Sequence, residues 1–191
     1  ILATAAEHED AAFALARRAV ERMPRNPQTH LALADLLYQR GDVATARAEY
    51  ARALELDPQQ PDALNNLAWL MTDDDDPAND AQALEYARQA VALRPDNASF
   101  RDTLGFALRK AGRVEEARLE YQRSADLSPP GTITRARALY HAGALLVELG
   151  ERRAAGERLR AASAAPPAGR APPAAARAPI RAPHGEGRGA P

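Results

Sequence analysis

Residues 27–60 read PQTHLALADLLYQRGDVATARAEYARALELDPQQ, and the punctuation of that stretch decides the fold. Leu31, Leu33, Leu36 and Leu37 recur at helical spacing and form one apolar stripe. Gly41-Asp42 then ends one helix and opens another. Glycine takes the left-handed C-terminal turn, and an aspartate side chain accepts from the first amides of the next helix. Val43 to Leu56 carries Ala46, Tyr50, Ala53 and Leu54 on one face, and Pro58 closes it, since proline cannot continue the hydrogen-bond ladder. These 34 residues make one helix-turn-helix hairpin.

The same punctuation recurs in both directions. Pro24, Pro58, Pro95 and Pro129 are separated by 34, 37 and 34 residues. Ala12, Ala46, Ala83 and Ala117 each stand 12 residues before one of these prolines, and Ala19, Ala53, Ala90 and Ser124 stand 5 before it. Residues 61–97 repeat the grammar with Leu64, Leu67, Ala68 and Met71 in a first helix and Ala83, Ala87 and Ala90 in a second. Their three extra residues are expected between the helices, at Asp73 to Pro77. Residues 98–131 place Leu104-Gly105, Leu108, Gly112, Ala117, Tyr121 and Ser124 at the same offsets. A looser unit, 136–162, keeps Ala142-Gly143, Leu146, Gly150, Ala155, Leu159 and Ala162 after a four-residue insertion expected near Thr132 to Arg135. Residues 1–26 supply one second helix and the end of a first, so the array is expected to continue upstream of Ile1. Over 163–191 the pattern gives way to seven prolines, ten alanines and four arginines, a low-complexity tail expected to be disordered or polyproline-like.

Composition agrees with an all-α reading. The chain has 191 residues, 46 of them alanine, with 24 of its 25 basic residues arginine and only 5% aromatic residues, so helix formers dominate and a large sheet is excluded. A net charge of −1 provides no field to draw nucleic acid or an anionic membrane. The absence of cysteine excludes disulfides, thiolate catalysis and cysteine-based zinc sites. No apolar window approaches the length of a bilayer span. Ile1 in place of an initiator methionine suggests a fragment or processed product, and leaves cytoplasm and periplasm both open.

The in-phase residues resemble the tetratricopeptide repeat, whose pattern is W-x2-L-G-x2-Y followed by alanine, an aromatic, alanine and proline. Leu64-x2-Leu67-Ala68-x2-Met71 and Arg101-x2-Leu104-Gly105-x2-Leu108 match its first half, while Ala46, Tyr50, Ala53 and Pro58, and again Ala117, Tyr121 and Pro129, match its second. The resemblance covers residues 1–162. It departs at the tryptophan position, filled by His30, Leu64, Arg101 and Leu139, and at Ala87, where an aromatic is usual. Small residues at Ala34, Ala68, Gly105 and Gly143 are expected to let paired helices approach closely. The phrase Leu64 to Trp69, with Asp102 to Phe106 downstream, is also similar to repeats of bacterial envelope and exopolysaccharide-secretion proteins of this family.

The resemblance implies a right-handed superhelical solenoid whose first helices line a concave groove, and a non-catalytic protein-binding scaffold. By register the groove offers Asp35 and Tyr38, then Asp62, Asn65 and Trp69, then Asp102, Phe106 and Arg109, then Tyr140. Carboxylates, amides and aromatics together suit an extended or helical peptide with apolar anchors and some basic residues. Trp69 and Phe106 hold equivalent places and either anchor a ligand or fill the seam between first helices. The family's lysine- and arginine-rich clamp on a C-terminal carboxylate is not expected, because Lys110 is the only lysine.

Residues that would carry other chemistry lack its spacing. Asp73 to Asp76, with Asn79 and Asp80, do not alternate as a calcium loop requires and read as a solvated loop placing negative charge near a helix N-terminus. His8, His30, His141 and His184 include no pair at metal-ligand spacing and read as surface or packing residues, and no serine sits in a nucleophile elbow. No enzyme activity, cofactor or metal is expected. In the tail Arg170, Arg177, Arg181 and Arg188 have no interleaved aromatics, so no nucleic-acid partner is expected. The principal alternative is an accessory repeat region of a larger enzyme or secretion machine.

Overall fold

The computed structural model describes residues 5–74 and 76–163, so almost all of the expected low-complexity tail lies outside the described residues. Among the described residues are nine helices and no strand: α1 (Ala5–Arg22), α2 (Pro27–Gln39), α3 (Val43–Leu56), α4 (Pro61–Asp73), α5 (Pro77–Leu93), α6 (Ala98–Lys110), α7 (Val114–Leu127), α8 (Ile133–Glu148) and α9 (Arg152–Ser163). Helices α2/α3, α4/α5, α6/α7 and α8/α9 pack as hairpins. The chain is an all-α solenoid, with α1 a second helix packed on α2.

Proline and glycine set the boundaries through local chemistry. Asp57, Arg94 and Ser128, each preceding a proline, are pushed out of helical backbone with ψ of 93°, 78° and 131°, and their helices stop there. Gly41, Gly112 and Gly150 have φ of 83°, 71° and 76° and end α2, α6 and α8 identically. The next amide in each case bonds back into the helix, Asp42 to the Leu37 carbonyl (3.0 Å), Arg113 to Leu108 (2.9 Å) and Glu151 to Leu146 (2.9 Å). Asn26, Asp42, Gln60, Asp76, Asn97 and Thr132 cap N-termini through their side chains.

The first irregularity in the period adds nothing to a loop, and the second adds a single residue to one, 128–132 against 57–60 and 94–97. Residues 74–76 join α4 to α5 over the same length as 40–42 and 111–113, and the extra residues lengthen α5 to 17 residues against 14 in α3 and α7. Pro77 at the first helical position and Asp76 as cap start that helix a turn early. The insertion expected near Thr132 to Arg135 likewise lengthens α8 to 16 residues against 13 in α6, with Thr132 as its cap.

Small residues let the hairpins close. Ala34, Ala46, Ala53, Ala68, Ala83, Ala90 and Ala117 are completely buried, and a Cβ added at Gly105 would stand 2.7 Å from the Tyr121 ring. The departures at the family's tryptophan position are compensated in pairs. His30 contacts Glu49 (2.6 Å) and the Pro24 carbonyl (2.9 Å). Arg101 donates to Glu120 (2.8 Å) and the Pro95 carbonyl (2.7 Å). Between these two hairpins, Leu64 and Tyr86 hold the corresponding places as an apolar set. First helices α4, α6 and α8 pack directly on one another, more closely than second helices do. The stack is therefore wedge-shaped, and its inner, concave side is built from first helices.

Candidate functional site

Along the concave side the first helices present two polar centres of opposite character, one half-buried and one buried. At the N-terminal end, the Asp35 carboxylate of α2 accepts from the Tyr50 hydroxyl (2.7 Å) and from the Asn66 amide of α4 (3.1 Å), both at Oδ1. Asn65 donates in turn to Asn66 Oδ1 (3.0 Å), while its own Oδ1 is buried without a partner. Among the described residues, the hydrogen-bond donors to Asp35 are both neutral. Burial pushes its carboxyl above the usual range, the charge of Asp62 adds to the rise, and hydrogen bonds from Tyr50 and Asn66 oppose it. Burial, then the Asp35 charge, also raises the Tyr50 phenol.

The second centre lies between α6 and α8. Asp102 is completely buried, accepts from Arg137 Nε at 2.6 Å, and stands 2.9 Å from His141 Nδ1. Burial alone would raise this carboxyl. The charges and hydrogen bonds of His141 and Arg137 outweigh it and hold the group below its ordinary value. Above this triad the rings form a ladder, with Trp69 5.1 Å from Phe106, Phe106 5.8 Å from His141 and Tyr140 5.9 Å from His141 between centroids. The Arg137 guanidinium lies 5.8 Å over Trp69.

The expected groove residues therefore divide into two groups. Asp35, Tyr38, Asp62, Phe106, Arg109 and Tyr140 are half-buried on the concave side. Asn65, Trp69 and Asp102 are 2%, 7% and 0% exposed, so they form the floor beneath that surface rather than standing free upon it. Trp69 fills the seam between first helices, while Phe106 packs against it with the ring planes tilted by 38° and stays half-buried. Asp62 is paired with Arg94 (3.0 Å) and Arg109 with Glu148 (3.0 Å through Nε). Sequence register did not single out Tyr50, Asn66 or His141 as members of the face, although His141 adjoins the expected Tyr140 and Asn66 adjoins Asn65. In the acidic run, Asp74 accepts from Arg47 (2.6 Å) and Asn79 (3.0 Å), and Asp76 caps α5. No described helix is long and apolar enough to cross a membrane.

Stacked hairpins with an inner face of polar and aromatic side chains define an α-helical interaction scaffold. Two family models match, one described as TPR repeat over residues 34–71 and one as Tetratricopeptide repeat over residues 79–132. The chain is a tetratricopeptide-repeat protein, the class of protein–protein interaction scaffold. Among curated proteins it is 38% identical over 68 residues to the photosystem I assembly protein Ycf3 of Synechococcus elongatus, which covers 30% of this chain and 39% of that relative. The matched segment thus spans about two fifths of the relative's length. Among solved structures it is similar to MamA residues 41 to the end from Desulfovibrio magneticus RS-1, with TM-score 0.66, 19% identity and coverage of 81% and 84% of the two chains. It is also similar to YrrB, described as a TPR protein with an unusual peptide-binding site, with TM-score 0.62, 21% identity and coverage of 82% and 77%. At these identities the structural likenesses establish the fold.

Proposed function

We propose that the chain is a non-catalytic scaffold that holds a peptide or an extended segment of a partner protein along its concave face. The observation that carries this reading is the layering of that face. A buried floor of Asn65, Trp69 and Asp102, held by Asn66, Phe106 and the Arg137–His141 pair respectively, supports a half-buried upper layer of Asp35, Tyr38, Phe106, Arg109 and Tyr140. Such a floor fixes the rotamers of the layer above it, so a ligand binds without a large ordering cost. Half-buried aromatics beside carboxylates and an arginine supply apolar anchors and directional polar contacts for a polypeptide.

The relatives support the reading by analogy. YrrB is described as having a peptide-binding site, and Ycf3 as an assembly protein. A second reading, favoured by the partial match to Ycf3, makes the array an accessory region that contributes this same face to a larger assembly. Substitution on opposite sides tests the primary reading. Phe106→Arg places bulk and charge on the inner face, and Leu119→Arg, at a 54% exposed position on the second-helix layer, is its control. Proteins co-purifying with the full chain from a native lysate are expected to be lost with Phe106→Arg and kept with Leu119→Arg. Equal loss or equal retention contradicts use of the concave face.

A further inference from the structure

Asp35 and Asp102 are both carboxylates of first helices, but they are served differently. Asp102 has a guanidinium and an imidazole on its two oxygens. Asp35 has only neutral donors, both on Oδ1, and its Oδ2 receives no hydrogen bond from the described residues. Next along the same bonded chain, the Oδ1 of Asn65, a residue 2% exposed, is a second acceptor without a donor. Around them the described residues of the inner face include no arginine without an acidic partner. Arg94 is engaged by Asp62, Arg109 by Glu148 and Arg137 by Asp102, while Asp73, at the far end of α4, adds a further half-buried carboxylate.

This arrangement has a deficit of donors and of positive charge at one place, and an N–H-bearing cation is the group that meets both. We infer that the N-terminal half of the groove, centred on Asp35 with Asn65 in the floor beneath it, is a specificity site for a basic side chain, arginine or lysine, of the bound polypeptide. The inference rests on the concave-face reading above and adds the chemistry of its ligand. It also sets the direction of the ligand on the face, with the basic residue over α2 and α4 and the apolar anchors toward Phe106 and Tyr140 over α6 and α8. The elevation of the Asp35 carboxyl by burial and by Asp62 is consistent with a charge whose partner arrives from outside.

Selection of a random dodecapeptide display library on the immobilised full chain, with Asp35→Asn as the parallel target, tests this. Asparagine retains the oxygen that accepts from Tyr50 and Asn66 and removes only the charge. The expected result is enrichment of peptides sharing an arginine or lysine. Affinity of the chosen peptide, read by fluorescence anisotropy, should fall about 30-fold or more in Asp35→Asn, as for a desolvated interfacial charge pair. Thermal unfolding of Asp35→Asn should occur no lower than in the parent, which separates lost recognition from lost folding. Enrichment of neutral or acidic peptides that Phe106→Arg abolishes would overturn the basic-residue site and leave the concave-face reading standing. Absence of any enrichment contradicts both.

Discussion

The tight contact between α6 and α7 is the sharpest place to test the fold. Gly105 of α6 faces Tyr121 of α7, and an alanine there would put its Cβ 2.7 Å from both Cδ1 and Cε1 of the ring. Tyr121 is completely buried and stands 5.5 Å from the His141 ring, so it cannot swing away without disturbing the Asp102 centre. Two effects of opposite sign compete. Replacing a mid-helix glycine by alanine stabilises by roughly 0.5–1 kcal/mol through helix propensity. Overpacking a close-packed site costs about 1–3 kcal/mol. With a rigid aromatic wall as the obstacle, overpacking wins, and Gly105→Ala should lose about 1–2 kcal/mol. Gly156 in α9 provides the internal control, because an added Cβ there meets nothing closer than Arg160 Nη1 at 3.5 Å. Gly156→Ala should gain roughly 0.5–1 kcal/mol. Urea denaturation followed by circular dichroism measures both. Equal stabilisation by the two alanines would refute the claim that small residues at this position are required by contact with the second helix.

Further consequences concern the polar centres and the seam. Asp102→Asn leaves the 3% exposed Arg137 without its counter-charge and should destabilise by about 3–5 kcal/mol at neutral pH. Because the folded Asp102 carboxyl lies below its ordinary value of 3.8, its contribution is full above that pH and fades as pH falls through the lower, folded value. The deficit of the variant relative to the parent, measured by urea midpoints, should therefore shrink only in strong acid. Arg101→Leu alone strips Glu120 of one of its two arginines and should cost about 1–3 kcal/mol. Adding Glu120→Tyr, to reproduce the Leu64 and Tyr86 arrangement of the neighbouring hairpin, should restore most of that loss, and a double-mutant cycle showing simple additivity would contradict the compensation. Trp69→Ala, at a 7% exposed position in the ring ladder, should cost about 3–5 kcal/mol in calorimetry, whereas a surface ligand anchor could be removed with little change in stability.

What was legible in the sequence is what local chemistry dictates. Prolines at 24, 58, 95 and 129 force the preceding residue out of helical backbone, and Gly41, Gly112 and Gly150 supply turns that other residues resist, so the hairpins could be read directly. Four consecutive aspartates read as a loop that takes up the extra residues of the second hairpin, yet Asp76 and Pro77 are a cap and a first helical residue that extend α5. Register also identified the concave face, but not its depth. Whether Asp102 stands free or is covered depends on Arg137 and His141, 35 and 39 residues later, which the superhelix folds over it. The same limit hid Tyr50 and Asn66, whose bonds to Asp35 join three different helices.

Site-specific photo-crosslinking measures most directly whether the concave face is where a partner lies. A photoreactive phenylalanine analogue is introduced at Tyr38 on the inner face, or at Leu119 on the outer layer, of the full chain and irradiated in native lysate. Adducts to another polypeptide from position 38 and none from position 119 are the predicted result. Adducts from position 119 with none from position 38 would contradict the account.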